Sequence, residues 1–327
     1  MSKFFDTTMR PMITAVAASE RIKETSQRLT VTRRVVERFV PGETEEDVLA
    51  AIRDSLGNGL SVTIDHLGED TSDDAQAART VDAYLSLLEE MSRMSPPTPN
   101  ALEVSVKLTA LGQMLPRHGR KIAEENVHTI CAAAEAAGVL VTVDAEDHAT
   151  VDGRLDIVRT VRRDLPSLGT VLQAYLRRTE DDCREFAESG ARIRLCKGAY
   201  AEPPTVAFAD RTQIDEAFLR CLRILMKGNG HPMVASHDPM MIGAAHELAA
   251  EFGRAPDSWE HQMLYGIRTD EQLRLAGDGH RVRVYIPYGR EWYGYFVRRL
   301  AERPANVTFF LRALADRRHP VTAAEPA

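Results

Sequence analysis

Eight short apolar runs punctuate this chain, and a polar or aromatic residue sits at or just beyond the end of each. They are LSVTIDHLG (60–68), LEVSVKLTALG (102–112), LVTVDAED (140–147) and GTVLQAYL (169–176), then ARIRLCKGAY (191–200), PMVASHD (232–238), WEHQMLYG (259–266) and RVRVYIPYG (281–289). Runs this short and this rich in β-branched residues suit strands buried on both faces. Amphipathic stretches with helical spacing lie between them, at 74–94, 121–136, 154–164, 179–189, 211–227, 239–252 and 269–276. Strands alternating with helices over about 240 residues predict an α/β fold, a (β/α)8 TIM-type barrel. A doubly wound sheet competes, but no G-x-G-x-x-G follows any of the strands.

The strand ends carry the chemistry. They hold Asp65 and His66, Lys107, Asp144, Gln173, Arg194 and Lys197, His237, Gln262, and Tyr285 with Tyr288. In a barrel such positions gather at the C-terminal face, where these folds build their sites. One such residue is ordinarily a cap or a satisfied core group; a set on nearly every strand is hard to explain as packing.

The segment RVRVYIPYGREWYGYFVRRLAERPAN (281–306) adds a second signal. After the strand, Trp292, Phe296 and Leu300 form one helical stripe, while Tyr295, Arg298, Arg299 and Glu302 cluster on another face. Two guanidiniums side by side suit a small carboxylate, since each offers a planar fork of N–H donors. A solvated Arg-Arg pair near a helix C-terminus is the plain competing reading.

Residues 1–58 carry helical signals, including a capping-box-like Thr44-Glu45-Glu46-Asp47, and are expected to flank the barrel. Residues 59–312 make the barrel, and 313–327 a polar tail. Charge narrows the partners: 41 basic against 48 acidic residues leave a net −7 without a Lys/Arg tract, which argues against nucleic acid. The widely spaced Cys131, Cys183, Cys196 and Cys221 read as reduced thiols in a cytoplasmic setting. The first residues are too polar for a signal peptide, and no apolar run approaches the ~20 residues that span a bilayer. Peripheral membrane contact stays open. Asp144, Glu146, Asp147 and His148 form an acidic knot, but without H-x-H or H-E-x-x-H no metal is expected.

SVKLTALG (105–112), RIRLCKGAY with AEPP (192–204) and 282–306, supported by TVDAED (142–147) and HQMLYGIR (261–268), together resemble the proline dehydrogenase family in its single-function bacterial form. The resemblance runs in order over roughly residues 60–310, and KGAY and Tyr-x-x-Arg-Arg-x-x-Glu are its most specific parts. It implies a distorted barrel that binds FAD, oxidises L-proline to Δ1-pyrroline-5-carboxylate and passes electrons to a membrane quinone. Arg298 and Arg299 resemble the pair that holds the proline carboxylate, assisted by Lys107. Tyr295 resembles the tyrosine against the proline ring, Glu302 the residue that orients the arginines, and Tyr285 falls among the substrate positions. Asp144 and Arg194 match the acidic and basic positions beside the flavin reacting centre. Ala145, Gln173, Lys197, Gly198, Ala199, Tyr200, Ser236 and His237 match flavin-lining positions. Cys196, Ser236 and His261 depart from the commoner aliphatic, threonine and apolar residues there. The chain is too short for the aldehyde-dehydrogenase domain of longer relatives, so a separate pyrroline-5-carboxylate dehydrogenase is the expected functional partner.

Read singly, these residues keep plainer alternatives. Lys107 and Lys197 could be solvated, His237 a neighbour of a helix cap, and Gln173 a buried amide satisfying backbone groups. Asp144 could take the amine proton or simply pair with Arg194 or Lys107. Gly198 is where backbone can approach a cofactor closely. The competing enzyme is a Schiff-base aldolase-type barrel using Lys107 or Lys197 with its pKa lowered by neighbouring cations. The non-enzymatic alternative is a barrel that only binds a small acid.

Overall fold

The computed structural model describes residues 38–68 and 71–295. Its centre is a closed barrel of eight parallel strands in sequence order. These are β1 (Ser61–His66), β2 (Leu102–Val106), β3 (Leu140–Val143), β4 (Gly169–Gln173), β5 (Arg192–Cys196), β6 (His231–Ala235), β7 (Glu260–Leu264) and β8 (Val282–Tyr288). Seven of the predicted apolar runs hold one strand each and the eighth, 232–238, misses only the first residue of β6; β8 closes onto β1 in register from Arg283 beside Ser61 to Tyr288 beside His66.

A helix follows each of the first seven strands and leads to the next: α2 (Asp74–Ser92), α3 (Gly119–Ala137), α4 (Val151–Val161), α5 (Thr179–Glu188), α6 (Arg211–Lys227), α7 (Pro239–Glu251) and α8 (Thr269–Gly277). Before β1 lies α1 (Glu45–Gly57). Its capping box is complete: Thr44 Oγ1 accepts from Asp47 N–H at 3.2 Å, and Asp47 Oδ2 accepts from Thr44 N–H at 3.0 Å. Asp performs the task more often given to Glu or Gln. Helix α1 buries Val48 and Ile52 and packs on β1 and β8. A regular barrel would place the helix following β8 there. The chain after β8 instead turns helical at 292–295, and Tyr295 lines the barrel mouth.

Side-chain parity decides what faces where, because successive strand residues point to opposite sides. Val62, Ile64, Val104, Val106, Ile193 and Leu195 turn outward into the core shared with the helices. Burying each contributes about 1.5–3 kcal/mol. The alternate residues turn inward and are polar far below the mouth. Glu103 of β2 accepts from Thr63 of β1 at 2.7 Å and pairs with Arg194 of β5 at 2.8 Å and with Arg192. Glu260 of β7 takes Arg283 of β8 at 2.7 and 3.1 Å. Arg283 also donates to the carbonyls of Val62, Ala101 and Asn100 at 2.8, 3.2 and 2.7 Å. Buried charge survives here because every guanidinium meets a carboxylate or carbonyls. No helix among the described residues is long and apolar enough to cross a membrane.

Candidate active site

A cavity of about 390 Å³ opens at the C-terminal ends of the strands. Lys107, Asp144, Ala145, Gln173, Arg194, Lys197, Gly198, Ala199, Tyr200, Ser236, His237, Tyr285 and Tyr295 all line it. Parallel strands in a closed barrel end on one rim, which brings together residues spread over nearly two hundred positions. Arg298, Arg299 and Glu302 lie outside the described residues. Two strand-end residues turn elsewhere. His66 and Tyr288 have outward parity, and their rings meet edge to face with centroids 5.2 Å apart, with Tyr84 beside His66.

Ion pairs organise one side. Lys107 Nζ donates to both oxygens of Asp65, at 2.6 and 2.7 Å. Burial pushes the Asp65 carboxyl up from its ordinary value, against the pull of Lys107. Asp144 accepts from the Tyr285 hydroxyl at 2.7 Å and from Ala145 N–H at 3.2 Å, with Arg194 at 3.6 Å. Burial disfavours its charge too, but Arg194, Lys107 and the Tyr285 hydroxyl outweigh it and hold the carboxyl below its usual range. Burial and the nearby Asp144 push the Tyr285 phenol well up, so it remains a donor.

Arg194 forms the floor. Its Nε donates to Gln262 Oε1 at 2.5 Å, one terminal nitrogen to Ser105 Oγ at 3.1 Å and the other to Glu103. The Tyr285 ring lies 5.2 Å from its guanidinium carbon. Glu103, Glu260 and Arg283 beneath it escaped the sequence reading. Each lies two residues before a strand position on the inward face, at 105, 262 and 285, and period-two alternation is the signal that finds them.

The other wall is the 197–200 loop with the end of β6. Lys197 reaches Asp215 at 2.5 Å and Asp238 at 2.9 Å. Asp238 caps α7 through Met240 N–H, and Ser236 Oγ accepts from Asp238 N–H at 3.1 Å. His237 Nε2 accepts from Leu264 N–H at 2.9 Å, tying the end of β6 to that of β7. Gly198 has φ +105°, and a Cβ there would lie 2.2 Å from the Tyr175 ring. Its missing side chain makes room for the Tyr175 ring, a packing reason for glycine that stands beside any approach of a cofactor. Gln173 departs from its plain reading: its Oε1 is buried without a hydrogen-bond partner. The Cys196 thiol is pushed up to about 12, first by burial, so it is no thiolate.

The acidic knot separates into different tasks. Glu146 accepts from Thr109, Asp147 accepts from Thr150 N–H at 3.2 Å, and His148 pairs with Glu202. No three His, Cys, Asp or Glu side chains among the described residues are grouped to hold a metal ion. The aldolase reading fares poorly, since both lysines meet carboxylates where it needs cations.

A family model for proline dehydrogenase matches residues 48–312. The chain is 37% identical over 280 residues to proline dehydrogenase 2 of Bacillus subtilis (strain 168), covering 86% of this chain and 90% of that one. It is 36% identical over 284 residues to the proline dehydrogenase of Deinococcus radiodurans, again covering 86% and 90%. Against the bifunctional protein PutA of Escherichia coli (strain K12), identity is 27% over 331 residues, 88% of this chain and 25% of that one. Among solved structures, proline utilization A of Bdellovibrio bacteriovorus inactivated by N-propargylglycine superposes with a TM-score of 0.78 at 23% identity. That likeness covers 88% of this chain and 34% of the other, about a third of its length, and shows a common fold. With one family matched across most of its sequence and its barrel, the chain belongs to the proline dehydrogenases, a family of oxidoreductases.

Proposed function

We propose that this chain oxidises L-proline to Δ1-pyrroline-5-carboxylate with bound FAD, as the first step of proline catabolism to glutamate, and passes the electrons to a quinone. The observation that carries the reading is the cavity rim, where Lys107 paired with Asp65 and Arg194 beside Asp144 face one space with Tyr285 and Tyr295. The residues fit a flavin. Gln173 Oε1 is a buried acceptor without a donor, and a flavin carries an N–H between carbonyls on its pyrimidine edge. In this reading the 197–200 loop, Ala145, Gln173, Ser236 and His237 hold FAD, which supplies a hydride acceptor at N5.

Lys107, Arg298 and Arg299 take the proline carboxylate, Glu302 orients the arginines, and Tyr295 and Tyr285 flank the ring. The same cations favour the neutral substrate amine, whose lone pair drives oxidation. Asp144, held ionised, acts as the electrostatic partner of Arg194 and the substrate and is a poor base. FAD and proline binding fall within 59–312, with 1–58 flanking the barrel and 313–327 as its tail. A quinone acceptor implies work at the inner face of the cytoplasmic membrane, by peripheral contact. A separate pyrroline-5-carboxylate dehydrogenase then consumes the product.

A visible spectrum of the purified protein tests this. We expect flavin bands that bleach on anaerobic addition of L-proline. A colourless protein that borohydride traps with a carbonyl substrate would favour the aldolase instead.

A further inference from the structure

The cavity floor continues downward as a chain of hydrogen bonds. Arg194 Nε donates to Gln262 Oε1 at 2.5 Å, and Gln262 Nε2 donates to Glu260 Oε1 at 2.6 Å. Glu260 is in turn gripped by Arg283, which is bolted to three backbone carbonyls. An amide has two nearly equal ends, and here both are specified. Flipped, Gln262 would turn its NH2 against the Arg194 donor and its oxygen against the Glu260 carboxylate, trading two attractions for two repulsions. An anion below and a cation above therefore leave one orientation. Glu103 and Ser105 hold the other edge of the guanidinium, so its plane is fixed on three sides.

We propose that Gln262 and Glu260 are positioning residues: Glu260, buried beneath the cavity, orients the Gln262 amide, and that amide sets the pose in which Arg194 presents its charge to the bound flavin. This rests on the reading that Arg194 faces the reacting centre, and it extends the site one layer into the barrel. A loosened guanidinium would present its charge over several poses and lose electrostatic preorganisation. Buried charges removed from their partners also cost stability, so the test must separate pose from fold.

The experiment uses purified flavin-loaded protein, with flavin content, thermal midpoint, flavin midpoint potential and the anaerobic rate of reduction by proline as readouts. Gln262→Leu deletes both hydrogen bonds at similar volume. We expect a shifted potential and a reduction rate lower by about tenfold or more, the usual scale for losing an orienting partner. Proline affinity should change little. Gln262→Glu gives the sharper readout. A protonated carboxyl donates to Glu260 and accepts from Arg194, as the amide does; an ionised one repels Glu260. The charged groups around this position are Arg194 on β5, Glu103 on β2, Glu260 on β7, Arg283 on β8 and His231 on β6, whose Nε2 is 3.7 Å from Glu260. We expect Gln262→Glu to approach wild-type rate and potential at the acid end and to lose both at the alkaline end.

Wild-type potential and rate in Gln262→Leu, or a wild-type pH profile in Gln262→Glu, would overturn the proposal. Where Gln262→Leu fails to hold flavin, the pH profile of Gln262→Glu decides. A wild-type protein without flavin, or with flavin that proline does not reduce, overturns the functional reading and this one with it.

Discussion

Lys107 and Asp65 close a bidentate ion pair between the ends of β1 and β2, with both side chains buried. Removing one partner leaves a buried charge, whereas removing both leaves packed carbon. Asp65→Asn is expected to cost about 3–5 kcal/mol in urea denaturation. The double variant Asp65→Leu with Lys107→Met should recover a large part of that stability. A double variant no more stable than Asp65→Asn would show that the pair is not the source of the loss.

Tyr285→Phe keeps the ring over Arg194 and deletes only the hydroxyl that Asp144 accepts at 2.7 Å. A hydrogen bond to a charged group contributes about 1.5–3 kcal/mol, so kcat/KM for proline should fall roughly ten- to hundredfold. The hydroxyl helps keep the Asp144 pKa low, so its loss lets the carboxyl protonate earlier as pH falls. The acid limb of the pH profile of kcat/KM should therefore move to higher pH. A limb that stays in place would remove Asp144 from the step being measured.

His261 makes stability depend on mildly acid pH. It is buried, its Nε2 lies 3.2 Å from His246 Nε2, and Trp259 and His280 pack around the pair. Burial first, then the neighbouring His246 and His280, lower its pKa from 6.5 to about 3. The folded state thus favours the neutral ring. Its contribution is complete above 6.5 and drains away as pH falls toward 3. His246, lowered first by burial and then by His280 and Arg274, deepens that window. Relative to wild type, His261→Leu should gain about 2 kcal/mol between about pH 7.5 and about pH 5. Equal pH dependence in the two proteins would count against this cluster.

Gly198→Ala should fail for two separable reasons. The new Cβ would enter the Tyr175 ring, and φ +105° strains any residue with a side chain. Strain of this kind costs about 1–3 kcal/mol. We expect a lower thermal midpoint and a smaller flavin-to-protein ratio. Adding Tyr175→Ala relieves the collision but not the strain, so recovery should be partial. Full flavin content in Gly198→Ala alone would mean that the loop does not depend on this packing.

The barrel was legible because its two periods are local. Alternation within 60–68 or 281–289 marks a strand, and helical spacing marks the intervening elements. Parallel closure then carries Asp144, Arg194 and Tyr285 to one rim without further information. Partnership was not legible, because it crosses the barrel: Arg194 and Gln262 are 68 residues apart. Attention to strand ends also passed over Glu103 and Arg283, whose mid-strand charges look unsuited to a core until each meets its counterpart. Gly198 shows the same limit. The Tyr175 ring that a Cβ at 198 would enter lies outside the KGAY motif, so nothing local to that motif announces the packing.

The pairing of β8 with β1 has a consequence for the chain during synthesis. The last strand completes a sheet begun more than two hundred residues earlier, and Arg283 latches onto Val62, Asn100 and Ala101 only when that strand arrives. Until then β1 and β7 both present open edges, the surfaces through which chains associate wrongly. A nascent chain halted before Arg281 should remain protease-sensitive and captured by chaperones, while one extruded beyond Tyr295 should turn resistant. Quality control of this protein thus hinges on its final quarter, however well formed the earlier strands are.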